Sequence, residues 1–92
     1  MKEKIETMLT ALEDLLDVVL FSDTFAYTTC HIDCRRDITK FKLYGSYELT
    51  GYMKILLVIQ KIVLDLGKAS SVVTEYKEYK LCKKILNDEV GI

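Results

Sequence analysis

The chain has 92 residues, half of them apolar and 29% charged, with four Gly, no Pro, no Trp, three Cys, one His and a formal net charge of −1. Such a length fits one small domain, residues 1–92, and leaves no room for separate cofactor and substrate domains. The apolar content excludes a disordered charged tail, and the longest unbroken apolar run, Ile55–Ile59, is far short of the roughly 20 residues of a membrane span.

Residues 3–21 read as an amphipathic helix. Ile5, Met8, Leu9, Leu12, Leu15, Leu16, Val19 and Leu20 recur at three- and four-residue spacing. Glu6, Thr10, Glu13, Asp14 and Asp17 form an acidic strip on the opposite face. Ser22 and Asp23 suit its end, because their side chains compete for backbone hydrogen bonds. Carboxylates interrupt the apolar run and no small-residue cleavage site follows, so the stretch does not read as a secretory signal. With three cysteines, an odd number, this points to free thiols in a reducing cytoplasm.

Residues 25–44 hold two runs rich in β-branched and aromatic residues, 26–32 and 38–44, on either side of Asp33-Cys34-Arg35-Arg36-Asp37. In the second run Thr39, Phe41 and Leu43 alternate with Lys40, Lys42 and Tyr44, the period of a half-buried strand. The pattern predicts a β-hairpin or an irregular insert, with a helix over 24–42 as the competing reading.

Ser46 is a candidate N-cap with Glu48 in the first turn, opening a helix over 47–66 that Gly67 stops as a C-terminal cap residue. Gly51 inside it costs about 1 kcal/mol relative to Ala, which also allows a start near Gly51. Another helix follows from Ala69 or Ser70 to about Asn87. The expected fold is therefore α-rich α+β: an N-terminal helix, a hairpin or irregular insert, and a C-terminal antiparallel helical hairpin. An all-α bundle is the alternative.

On a helical wheel the 47–66 helix has a narrow polar stripe of Lys54, Lys61 and Asp65, extended by Lys68, and is otherwise apolar. A helix apolar nearly all round is a buried helix, and so short a chain has few elements to surround one. Either the other elements of the chain wrap it as a monomer, or Leu57, Val58 and Leu64, on the edges of the stripe, are covered by a second copy or a protein partner, the expected case.

In the last helix Lys77, Lys80 and Lys84 share one face, away from an apolar stripe of Val72, Tyr76, Tyr79, Cys82 and Leu86. Residues 1–34 carry a net −5 and residues 35–92 a net +4. The two halves either neutralise each other on packing or present contact surfaces. In the second case Glu6, Glu13 and Asp17 form an acidic surface, and Lys77, Lys80 and Lys84 with Arg35 and Arg36 a basic one.

Cys30-His31-x-x-Cys34 with Cys82 would make a Cys₃His zinc set. Adjacent Cys30 and His31 on a strand would face opposite sides, however, so no metal or cofactor is expected. The Cys30…Arg36 spacing matches a phosphate-binding cysteine loop but lacks its glycines. No Gly-rich nucleotide loop, His-Glu-x-x-His or Gly-x-Ser-x-Gly occurs, and any histidine-dependent triad would have to run through His31. The lysines of the last helix sit at the wrong end for a recognition helix, and the total charge is near neutral, so nucleic acid is not expected as a partner.

The expected function is a non-enzymatic protein-interaction module, a small homo-oligomeric regulator or inhibitor that occupies a partner's surface in the cytoplasm. The alternative is an oligomer binding a nucleotide or other small anion through Arg35, Arg36, Lys40 or the lysines of the last helix, with tyrosines stacking on it.

Overall fold

A computed structural model describes residues 2–21, 28–44, 51–69 and 72–90. Among them are four helices, α1 (Lys2–Phe21), α2 (Thr28–Tyr44), α3 (Tyr52–Ala69) and α4 (Lys77–Val90), with a 3-10 turn at Val73–Glu75 before α4. No described residue is in a strand. The α+β expectation is thus overturned, and the all-helical alternative is the one observed.

The hairpin fails because burial, not local propensity, decides α2. His31, Cys34 and Ile38 are buried and Phe41 is partly so, a helical spacing of three and four residues. Of the alternating set, Thr39 and Leu43 are exposed. The Thr39 hydroxyl donates to the Arg35 carbonyl one turn back at 2.9 Å, a bond that reconciles a β-branched polar residue with a helix.

Gly67 does not stop α3, which continues to Ala69, and the last helix begins at Lys77 rather than near Ser70. The proposed caps at Ser22-Asp23 and Ser46 lie outside the described residues.

Each helix packs on the one that follows it, α4 closes on α1, and α1 meets α3 across the interior. The partners fix the directions. Along the α1/α4 seam Lys4 pairs with Glu89, and the Cys82 thiol donates to the Met8 carbonyl at 3.7 Å. Along α1/α2 Asp17 meets Arg35 and Glu13 meets Lys42. Along α3/α4 Tyr52 reaches Glu89, and Gly67 lies against Tyr79. In all three pairs rising numbers meet falling ones, so these neighbours run antiparallel, as in an up-and-down bundle.

The core is built mainly from α1 and α3. Ile5, Met8, Leu9, Leu12, Leu15 and Leu16 of α1 are fully buried, as are Leu56 and Ile59 of α3. They join Ile38 of α2 and Cys82 and Leu86 of α4 in one cluster. Leu20, expected on the buried face, is exposed instead.

Glu89 closes one end of the bundle. Its carboxylate accepts from Lys4 and, at 2.7 Å, from the Tyr52 hydroxyl. A carboxylate at the C-terminal end of its own helix is unfavourable, but this one reaches the positive N-terminal ends of α1 and α3. No described helix is long and apolar enough to cross a membrane.

Candidate interaction surface

Burial of α3 on its inner side leaves a strip facing outward. Tyr52, Ile55, Leu56, Ile59, Ile62, Val63 and Leu66 form the buried face. Met53, Leu57 and Leu64 point away from it and are 51%, 52% and 39% exposed. Their four- and seven-residue spacing places them in one row along the helix. The expected contact residues Leu57 and Leu64 are therefore on the surface. Val58 is not: it is half-buried and packs against the core. Met53, not singled out from the sequence, takes its place. The available signal was its position one turn before Leu57 on the same arc.

Lys54, Lys61 and Lys68 are exposed and run beside this row at seven-residue spacing. Lys61 and Lys68 also line a cleft of about 600 Å³ between α2 and α3, whose other walls include Cys30, Cys34, Asp33 and Asp65. Among the described residues no carboxylate lies within ion-pair distance of any of the three lysines.

The remaining predicted charges behave differently. Arg35 donates to Asp17 at 2.5 Å, and Lys42 pairs with Glu13. The acidic side of α1 and the basic side of α2 thus neutralise each other, as the first reading of the charge asymmetry expects. Arg36 is held by Asp33 one turn back at 3.1 Å. Glu6 and Lys77 line the same groove between α1 and α4, with Ala11 and Leu81 as its apolar part. Lys80 lies 3.9 Å from Glu75, and Lys84 is exposed. Of the charged contact residues proposed from sequence, Arg35, Asp17 and Glu13 are therefore paired across the α1/α2 seam, whereas Glu6, Lys77, Lys80 and Lys84 remain exposed, as do the α3 lysines.

The zinc set does not assemble. Cys30 and Cys34 face one another on α2 with sulfurs 3.6 Å apart, His31 hydrogen bonds to the backbone of Leu16 on α1, and Cys82 is buried against Met8. Among the described residues no group of three or more His, Cys, Asp or Glu is arranged to hold a metal ion. Burial pushes the thiols up, Cys82 to about 12 and Cys34 further, and raises Cys30 as well. They are protonated at neutral pH, and a thiol is a poor nucleophile compared with a thiolate. The stretch from Cys30 to Arg36 is helical, so it offers no phosphate-cradling loop.

His31 is buried, and its Nε2 has no hydrogen-bond partner. Burial first, and then the nearby Arg35 guanidinium, hold its pKa below the ordinary imidazole value.

Comparison of the chain with known protein families, with curated proteins and with solved structures finds no match to any of them.

Proposed function

We propose that this chain is a non-enzymatic protein-interaction module, a small cytoplasmic regulator or inhibitor that works by covering part of a partner's surface with α3. The observation that carries the reading is the exposed row of Met53, Leu57 and Leu64 on the helix that also supplies much of the core. Exposed large apolar side chains aligned on one element are an economical docking surface, because their burial recovers hydrophobic free energy without rearranging the fold. The partner is a different protein or a second copy of the chain. The protonated thiols agree with a non-enzymatic reading, since a thiol is a poor nucleophile compared with a thiolate. The free cysteines agree with a reducing compartment. For the anion-binding alternative, Arg35 and Arg36 are already held by Asp17 and Asp33, which leaves Lys40, Lys77 and Lys84 as its exposed cations.

The test is substitution of Leu57 or Leu64 by Asp. Both sites are at the surface, so the variants are expected to keep wild-type circular dichroism and melting. A partner identified with the wild-type chain and purified should lose affinity for them, or a self-associated species should fall to monomer mass. Folded variants with unchanged partner affinity and unchanged solution mass would refute the reading.

A further inference from the structure

We propose that the outer strip of α3 receives an acidic amphipathic helix. This rests on the interaction-module reading and names the chemistry of the partner. Stepping about 100° per residue around α3, the outward arc runs Gly67, Gln60, Met53, Leu64, Leu57, Lys68, Lys61, Lys54. The apolar row is thus bordered on the α2 side by three lysines, none within ion-pair distance of a carboxylate among the described residues, with Asp65 next beyond them on the same edge.

The opposite border is α4. The Tyr79 hydroxyl approaches Gly67, so the Tyr79 edge of α4 faces α3. There the Lys83 ammonium stands 5.9 Å from the centre of the Tyr79 ring, and Lys80 and Lys84 share one shallow groove with it. Asp88 also lines this groove and Lys80 lies 3.9 Å from Glu75, so the three lysines outnumber the acids without excluding them. An apolar row with positive charge along both sides is the complement of a helix whose apolar stripe is flanked by Glu and Asp. The length agrees: Lys54 to Lys68 covers about 21 Å at 1.5 Å per residue, four turns of a docked helix.

A second copy is the less suitable occupant. A two-fold contact of this strip with itself sets the lysine row of one copy against that of the other, and like charges across an interface are costly. An anionic membrane surface is also less suitable. The row holds only three apolar side chains and no aromatic one, whereas interfacial helices depend on a broad apolar face with Trp, Phe or Leu.

A displayed library of helical peptides provides the probe. Leucines are fixed at three- and four-residue spacing, and the flanking positions vary among Glu, Gln and Lys. Selected on the full chain, the enriched peptides should carry Glu on both flanks. The best of them should bind about tenfold or more weakly to a Lys54→Glu, Lys61→Glu, Lys68→Glu variant, more weakly still to Leu57→Asp, and less tightly as salt rises. A Lys54→Gln, Lys61→Gln, Lys68→Gln variant, free of new acidic charge, should fall between wild type and the Glu variant.

Enrichment that depends on Leu57 but shows no acidic bias overturns the acidic-helix proposal and leaves the interaction module standing. So does a dimer broken by Leu57→Asp in a chain that selects no peptide. So does binding to phosphatidylserine vesicles, with none to phosphatidylcholine, when no peptide is selected. Enrichment indifferent to Leu57, Leu64 and the lysines overturns the proposal and the module reading together.

Discussion

The Tyr79 hydroxyl occupies the space beside Gly67 where a side chain would begin: a β-carbon added there would lie 2.6 Å from the hydroxyl oxygen and 3.2 Å from Cζ. Gly67 is a point of close approach between α3 and α4, not a helix terminator. Gly→Ala inside a helix ordinarily stabilises by up to about 1 kcal/mol. Here the added methyl must displace a buried ring, so Gly67→Ala is expected to destabilise. Tyr79→Phe removes the closest atom. In that background the same substitution should cost clearly less or become stabilising, a coupling that a urea-unfolding double-mutant cycle measures. Equal effects of Gly67→Ala in both backgrounds would show that the hydroxyl is not the obstacle.

Leu56 and Leu57 are neighbours in sequence with opposite roles. Leu56 is fully buried, and Leu57 is half exposed. Leu56→Ala opens a cavity in the core and should cost about 2–5 kcal/mol. Leu57→Ala should change stability by no more than about 0.5 kcal/mol. Denaturant midpoints of the two variants check the orientation of α3. Comparable losses at both positions would mean that Leu57 is covered, most simply by self-association.

Glu89 joins α4 to the starts of α1 and α3. Hydrogen bonds from Lys4 first and from Tyr52 second hold its carboxyl below the usual range. A carboxyl whose folded pKa is depressed contributes stability above its unfolded value, near 4.5, and loses it as pH falls through the folded value. Glu89→Gln should therefore melt below wild type at pH 7, and the difference should shrink as the pH drops below that value. Tyr52→Phe removes one of the two donors and should cost about 1 kcal/mol. A Glu89→Gln deficit independent of pH would assign the effect to packing and not to charge.

Much of this architecture was legible where periodicity was strong. The apolar spacing of α1 from Ile5 to Val19 matches its buried face except for Ala11, which is also buried, and the apolar richness of α3 correctly marked it as a core helix. The failure at α2 has a physical cause: its inward face is made of His31, Cys34 and Ile38 with Phe41, a set with little hydrophobic contrast, so the outward Thr39 and Leu43 imitated a strand. Gly67 was misread because its partner is twelve residues away and belongs to another helix. Of the three candidate contact residues on α3, Leu57 and Leu64 are exposed, but a wheel cannot tell which edge the rest of the fold will cover, and Val58 packs against the core. The pairing of Glu13 with Lys42 and of Asp17 with Arg35 was visible only as an imbalance of charge between the two ends of the chain.

His31 is expected to make the bundle sensitive to mild acid. Its ring is buried among α1 and α2, hydrogen bonds to the backbone of Leu16, and leaves Nε2 without a partner. Burial and the Arg35 guanidinium depress its pKa, with Asp17 opposing them more weakly. The unfolded chain therefore takes up a proton at a higher pH than the folded one. Stability is complete above the ordinary imidazole value of 6.5 and declines as pH falls from there to the folded value, below which the loss is constant. One titrating group limits the slope to about 1.4 kcal/mol per pH unit. His31→Leu fills a similar volume, removes the unpaired nitrogen and cannot be protonated. Urea unfolding from pH 7.5 down through the 6.5 region should show a decline in the wild type that is absent in the variant. If the decline persists in His31→Leu, the acid sensitivity belongs to the carboxylate pairs at the helix seams, and His31 serves only to fill the α1/α2 interface.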